Sequence, residues 1–556
     1  MIIDSRQFTP ESELAADVCV VGGGPIGISV VRELEAAGLD VIVLESGGTE
    51  ADPALDREGE AAHFDFGGVR SFGNTRQLGG NANAWCVRTP ETSRGVRIIP
   101  LEATDLDEKP GDPGSAWPYD YDTLVPYYAR AQRFLGLPDD AAAYHAVRWA
   151  DGVADQVVDD VDLRTGVFLF ANAQRFLQRS LQHLSRSGSA RTLINATALE
   201  VLTNHDGSVA TGVRAASAPG REFVVRARFV VLAAGAVSTT QLLLASRAAR
   251  PHGLGNEHDL VGRYFMDHLL LRGGRVDPVS RSDFAHRTLY DMRRVGSTSV
   301  LAHLQLTPEA IRRENLLTLS FVAFPREDAA PMNLSPRQAR GIRGALRVRE
   351  RLVRHRFPHG RDMAALAMGF DGALRKVASS LTRPQANLGR GGWSTRRMRD
   401  YTHFEVMHQA EQAPHPDNRI TLSETPDAFG LPKVDIRVKW HDQDAEAIAR
   451  AQDVFARALP RVGWGTYTPA RRDGRPVVHS HSSNHFMGTT RMNASPRLGV
   501  VDGEGAVYDT PNLYVASTSV LPSGGWGNVT LTGIALALRA ADSVARAARP
   551  ASMAAS

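Results

Sequence analysis

The stretch that most constrains this chain runs from Asp17 to Glu45, DVCVVGGGPIGISVVRELEAAGLDVIVLE. DVCVV is a short apolar run of the kind buried in a parallel sheet, and GGGPIG is a turn. ISVVRELEAA is an amphipathic helix closed by Gly38, and DVIVLE is a second strand. Gly22, Gly24 and Gly27 therefore place a G-x-G-x-x-G between strand and helix, with Glu45 at the end of the next strand. Gly22 permits the tight turn, Gly24 lets backbone amides approach a pyrophosphate, and Gly27 lets the helix pack closely on the sheet. The helix N-terminus faces the phosphates, and Glu45 is placed to hydrogen-bond ribose hydroxyls. An acidic residue there disfavours a 2′-phosphate, which leaves NAD or FAD.

A chain of 556 residues with 43% hydrophobic content has room for two or three domains and a large core. Its formal net charge of +3 is small for this length, so no nucleic-acid or other polyanion partner is expected. The two cysteines, Cys19 and Cys86, stand in no C-x-x-C arrangement. That excludes a disulfide scaffold and suits a reducing, cytoplasmic setting. The segment MIIDSRQFTPESEL lacks the basic-then-apolar order of a signal peptide, and no run approaches the length of an integral membrane segment.

Beyond the first unit, a polar Gly-rich loop (74–89) and a Pro/Asp/Gly-rich segment lead into expected helices YDTLVPYYARAQRFL and ANAQRFLQRSLQHL. A strand-rich section follows, punctuated by Asp206-Gly207 and Pro219-Gly220, and closes on FVVLAAGA. SVLAHLQL and HFEVMHQA are strand candidates around an Arg-rich helix near 337–356, and NLYVAS, TSVLPSGGWGN and VTLTGIALALRAADSVARAA repeat the strand, loop, helix order. The expected fold class is α/β. A Rossmann-like FAD-binding domain is assembled from discontinuous segments (1–100, 190–272 and 476–548), with an inserted α+β substrate-binding domain of antiparallel sheet plus helices (273–475). Residues 101–189 read as a lid of connecting helices and 549–556 as a tail. FAD is favoured over NAD because the Gly-rich loop, the block after FVVLAAGA and the C-terminal block offer more cradle than one nucleotide needs.

Four blocks carry a resemblance to the glucose-methanol-choline (GMC) oxidoreductases: VVGGGPIGISVVRELEAAGLDVIVLESG, RQLGGNANAW, AAGAVSTTQLLLAS, and HFMGTTRM with the segment from GVVDGEG to the final helix. The resemblance spans essentially the whole chain. It implies a flavoprotein that oxidises an alcohol by hydride transfer to flavin N5. In this family a histidine precedes the G-T of H-x-x-G-T, here His485, and a histidine or asparagine precedes the final helix, here Asn528. A neutral imidazole suits removal of the hydroxyl proton, and an amide holds the same oxygen without competing for that proton. The helix beginning near Val529 is expected to aim its positive end at the flavin pyrimidine, where negative charge develops on reduction.

The cofactor cradle expected from these blocks comprises Gly22, Gly24, Pro25, Ile26, Gly27, Glu45, Ser46, Arg76, Gly79, Gly80, Asn83, Ala84, Trp85, Ala198, Ala234, Gly235, Ser517, Asn528, Val529 and Thr530. Ser517 stands where many relatives carry Asp, which resembles the sugar-oxidising branch that includes the pyranose oxidases. Ala84 stands where members with covalently attached flavin carry histidine, so FAD is expected to be noncovalent.

VMHQAEQAPHPDNRI resembles the strand that faces the flavin in the sugar-oxidising branch. Gln409, Glu411 and Gln412 are accordingly substrate candidates beside His485 and Asn528. An ion pair from Glu411 would favour a cationic substrate. With a loose likeness to flavin dehydrogenases of aminoglycoside biosynthesis, this makes the 6′-hydroxyl of an aminosugar the leading expectation, with other sugar alcohols behind it and oxygen or another carrier as electron acceptor. The Arg-rich helix PRQARGIRGALRVRERLVRHRF reads as a solvated lid or a docking face. Competing readings are a non-redox lyase holding flavin structurally, a flavin-binding protein without turnover, and a metal-dependent hydrolase using His479, His481 and His485. The last lacks a carboxylate or cysteine ligand at recognisable spacing and leaves G-T-T-R-M unexplained, so no metal is expected.

Overall fold

The computed structural model describes the chain except residues 60, 66–74, 110, 328–334, 354–356, 375–376, 378–400, 481 and 550–556. His481, the end of the Arg-rich stretch and nearly all of the 549–556 tail lie outside the described residues.

The first βαβ unit forms as its pattern dictates. Strand Glu13–Val21 pairs in parallel with Val41–Leu44, and helix Pro25–Ala36 joins them. Val18 and Val20 turn to one apolar cluster while Cys19 and Val21 turn to another, and Val41 to Leu44 alternate in the same way. Both faces of the sheet are therefore covered, which is why these strands read as continuous apolar runs.

Among the described residues this sheet has nine strands. In order they are Ile2–Asp4, Ala190–Ile194, Val41–Leu44, Glu13–Val21, Arg221–Leu232, Thr510–Val515 and Ala506–Val507, with Ala210–Ala218 and Thr197–Thr203 added as an antiparallel meander. Arg221–Leu232 does two jobs along its length. Its first half pairs with the meander and its last residues, Val230 to Leu232, pair in parallel with Leu513 to Val515. Helices Gly235–Ala245 and Thr530–Ala548 follow the two strands so paired.

A second layer is antiparallel. Leu269–Asp277 lies between His403–Ala410 and the strands Thr466–Pro469 and Arg475–Ser480. A four-stranded sheet runs Arg293–Val295, Thr298–Leu306, Leu163–Asn172, Gly95–Ile98. The expectation of a helical lid over 101–189 is corrected here, because Leu163–Asn172 is a ten-residue strand of that sheet. LRTGVFLFAN runs into helix Ala173–Arg186 without a turn, and only the Asn172 side chain, which accepts from the Arg175 amide at 3.1 Å, marks the boundary. The Arg-rich stretch forms helix Pro336–Val353.

Candidate functional site

A cavity of about 670 Å³ runs from the glycine turn to the H-x-x-G-T segment. Gly22 takes φ +109°, and a Cβ on Gly27 would meet the Gly22 carbonyl oxygen at 1.9 Å, so strand and helix close on each other only through glycine. Gly22, Gly24, Pro25, Ile26, Glu45, Ser46, Arg76, Gly80, Ala84, Trp85, Ala198, Ala234 and Gly235 line the cavity, and Asn528, Val529 and Thr530 close its far end at the start of the last helix.

The Glu45 carboxylate accepts from the Gly23 amide at 2.8 Å and the Gly47 amide at 2.9 Å. Burial pushes its pKa up while those amides oppose the shift. Two such bonds leave lone pairs for a ribose hydroxyl. Gly27, Gly79, Asn83 and Ser517, also expected in the cradle, do not line the cavity. They shape it from behind: Asn83 donates to the Leu78 and Gly80 carbonyls at 3.1 and 3.0 Å, and the buried Ser517 hydroxyl accepts from the Ser519 amide at 3.2 Å. An elongated cradle with a glycine turn at one end and a helix N-terminus at the other fits an FAD-sized dinucleotide.

At the opposite end the structure brings His485 and Asn528 together, with Asn528 Nδ2 3.0 Å from His485 Nε2. Paired backbone bonds between Met266 and Met487, 3.0 and 3.1 Å, hold the two segments side by side. His268 is thereby set against His485, Nδ1 to Nδ1 at 3.0 Å. The buried Asp267 carboxylate fixes this corner. It accepts from the backbone amides of His268, Ser483 and His485 at 2.7, 3.0 and 2.9 Å and from the Ser482 hydroxyl at 2.6 Å. Gln409 lines the cavity, donates to the Trp526 carbonyl at 2.6 Å and approaches His268 Nδ1 at 3.2 Å. Arg97, only 6% exposed, donates to Asn528 Oδ1 at 2.8 Å and to Gln409 Oε1, and its guanidinium lies 4.5 Å from the centre of the Phe168 ring.

Burial, then His268 and Arg97, hold the His485 pKa well below 6.5. Burial likewise lowers His268 to about 3. Both rings are neutral across the ordinary pH range, so His485 has a lone pair with which to take a proton.

Glu411 and Gln412 require correction as substrate candidates, because neither lines the cavity. Strand His403–Ala410 ends before them and the chain turns inward. Glu411 is 1% exposed and pairs with Lys109 Nζ at 3.1 Å while accepting from the Thr318 hydroxyl at 2.8 Å. Gln412 accepts from the Asp267 amide at 3.1 Å and donates to the Lys439 carbonyl at 2.9 Å, so it supports the histidine corner from outside. His479 is exposed on Arg475–Ser480 and does not line the cavity. Among the described residues no three His, Cys, Asp or Glu side chains are grouped to hold a metal.

Arg97, Asp267 and His268 were missed from sequence. The available signal was polar residues inside apolar runs, GVRIIPL and FMDHLLL, where each must find a buried partner.

Models described as GMC oxidoreductase match residues 173–270 and 414–537. Paromamine 6'-oxidase of Streptomyces fradiae is 26% identical over 97% of this chain and 92% of its own. C-glycoside 3-oxidase of Microbacterium trichothecenolyticum is 24% identical over 95% of this chain and 96% of its own. The solved structure of pyridoxine 4-oxidase from Mesorbium loti, 15% identical, superposes with a TM-score of 0.52 over 95% of this chain and 99% of that one.

Proposed function

Because the chain belongs to the GMC oxidoreductase family, an FAD-dependent one, we propose that it oxidises a hydroxyl of a sugar-type substrate to the carbonyl, with the flavin held noncovalently. The observation that carries this reading is the His485–Asn528 pair at the end of a cavity that starts on a dinucleotide turn.

Gly22 to Ile26, Glu45, Ser46 and Arg76 would hold the nucleotide half of FAD, and Val529 and Thr530 would meet the other half at a helix N-terminus. Bound FAD supplies the two-electron acceptor. Asn528 positions the substrate hydroxyl beside His485, and His485 Nε2 takes its proton. Asp267 and the Met266–Met487 bridge keep the ring in place while its protonation state changes. The buried Phe168 and Trp526 rings pack edge to face at 5.6 Å behind Arg97 and give that end an apolar backing. Ala84 offers no imidazole for flavin attachment, which supports noncovalent binding. Two free cysteines, Cys19 buried and Cys86 exposed, suit a reducing, cytoplasmic setting, and among the described residues no helix is long and apolar enough to cross a membrane.

The substrate reading shifts from that reached on sequence. Glu411 is neutralised by Lys109, Glu45 is the one carboxylate among the described cavity-lining residues and sits by the glycine turn, and Arg97 brings positive charge to the His485 end. A neutral hydroxylated ring is therefore favoured over an amine-bearing one. The 6′-hydroxyl of an aminoglycoside intermediate stands as the second reading, favoured by the full-length likeness to paromamine 6'-oxidase.

Anaerobic stopped-flow mixing of purified protein with neutral pyranoses, C-glycosides and paromamine-type aminosugars tests this. Bleaching of the flavin band by a neutral sugar is the expected result, and His485→Ala should keep its flavin while losing that reduction. Protein that purifies without flavin refutes the cofactor assignment. Flavin that no sugar reduces leaves the lyase or the binding protein standing; where a sugar does bleach the flavin, re-exposure to air separates oxygen from another carrier as acceptor.

A further inference from the structure

We propose that Arg97 is a positioning residue that determines which nitrogen of the His485 ring carries the proton. The inference rests on the reading of His485 as the base, and it starts from a property of guanidinium: Arg has donors only.

Arg97 donates through Nε to Asn528 Oδ1 at 2.8 Å and through Nη2 to Gln409 Oε1. No carboxylate is paired with it among the described residues. Each amide must therefore turn its oxygen to Arg97 and its NH2 the other way. Amide orientation is ordinarily a matter of assignment, and here one donor-only partner settles both.

The consequence propagates through both histidines. Asn528 presents an N–H to His485 Nε2 at 3.0 Å, so Nε2 keeps its lone pair. A neutral ring with an unprotonated Nε2 carries its proton on Nδ1, which lies 3.0 Å from His268 Nδ1. His268 Nδ1 must then accept, its single lone pair shared between the His485 N–H and the Gln409 amide at 3.2 Å, and His268 carries its own proton on Nε2. One side chain thus orders every polar hydrogen between the cavity and His268.

Reversing the Asn528 amide would place Oδ1 against His485 Nε2 and stabilise the tautomer that holds a proton there. That ring has no lone pair on the cavity side and removes no proton. Neutral imidazole tautomers are close in energy, so one or two hydrogen bonds decide between them. Arg97 acts on charge as well. The groups facing His485 are Asp267 and His268 from the segment before Leu269–Asp277, Arg97 from Gly95–Ile98, and the neutral amides of Gln409 and Asn528. Within this set Asp267 binds the His485 backbone amide, whereas Arg97 and His268 both oppose protonation of the ring.

The test separates orientation from charge and from activity. ¹⁵N-histidine NMR of the resting protein, with His485 assigned by the signal lost in His485→Gln, should show His485 protonated on Nδ1. In Arg97→Met that signal should become mixed or move to the Nε2–H form. Flavin content should stay unchanged, while the rate of flavin reduction falls about ten- to a hundredfold. Added guanidinium should restore rate in Arg97→Ala, whereas methylammonium, a point charge without the fork, should not. His485 protonated on Nε2 in the unsubstituted protein overturns the proposal even if no variant folds. An unchanged tautomer and rate in Arg97→Met overturns it too. A protein that no sugar reduces overturns the functional reading instead and leaves the tautomer measurement intact.

Discussion

Replacing Lys109 with methionine tests whether Glu411 belongs to the protein interior or to the substrate. Lys109 and Glu411 meet at 3.1 Å with side chains 6% and 1% exposed, and the buried Asp105 lies in the same pocket of charge. Burial alone would pull the Lys109 pKa down, but Glu411 and Asp105 outweigh it and leave the ammonium stabilised. Lys109→Met removes the one cation and strands two carboxylates. Breaking a buried pair in this way costs about 3–5 kcal/mol. A chain of 556 residues unfolding as one unit has an unfolding entropy of about 1.2 kcal/mol per kelvin, so Tm should fall by about 3–4 °C.

The loss depends on pH. Burial holds Asp105 up at about 7, against its ordinary 3.8, with Lys109 opposing the rise. A carboxylate whose folded pKa is raised binds more protons folded than unfolded, so stability falls as pH climbs from about 4 to 7. Removing Lys109 steepens that fall, and the variant should suffer more at pH 8 than at pH 5. Calorimetry on Lys109→Met, Glu411→Gln and the double variant is the assay. The double variant should recover part of the loss, because Glu411→Gln removes one of the two stranded carboxylates and leaves Asp105 alone without its cation. An unchanged Tm in Glu411→Gln together with a raised KM for amine-bearing sugars would refute the reasoning and return Glu411 to the substrate.

Two further outcomes separate binding from folding and define the base. A Cβ on Gly24 has open space, its nearest neighbour being the Gly80 Cα at 3.9 Å, whereas one on Gly27 collides with the Gly22 carbonyl; Gly24→Ala should fold and lose flavin, measured by absorbance ratio, while Gly27→Ala should fail to give soluble protein. His485 is held well below 6.5, so the rate of flavin reduction should stay level as pH falls through 6.5 and decline only below it, and a profile breaking at 7 or above would show a different base.

What could be read from the residues divides by the range of the interactions. The βαβ unit, the last strand-loop-helix and the H-x-x-G-T segment are local patterns, in which each residue's role follows from neighbours a few positions away. His485 and Asn528 were paired from the family's spacing, and the structure sets them 3.0 Å apart. Arg97, His268 and Lys109 carry no such pattern, since each acquires its role from partners hundreds of residues distant. Glu411 shows the ambiguity plainly. A carboxylate at the end of an apolar strand is a sensible substrate contact until a buried lysine from another segment is found beside it. Strand Leu163–Asn172 was lost for a different reason: its apolar alternation is broken by Gly166, and it runs straight into helix Ala173–Arg186 with no Gly or Pro to mark the boundary.

The discontinuous nine-stranded sheet also dictates an order of assembly. The glycine turn leaves the ribosome well before the rest of its sheet: its strand gains its second parallel neighbour only with Arg221–Leu232, and the last residues of that strand, Val230 to Leu232, are flanked on their other side only when Thr510–Val515 arrives. At synthesis rates of about 5–20 residues per second, the nucleotide turn waits tens of seconds for the element that completes its sheet. His485 and Asn528 emerge later than almost all of the scaffold. The half-made chain therefore exposes an apolar sheet edge with no redox chemistry to perform, and chaperone demand during translation is a property of its topology.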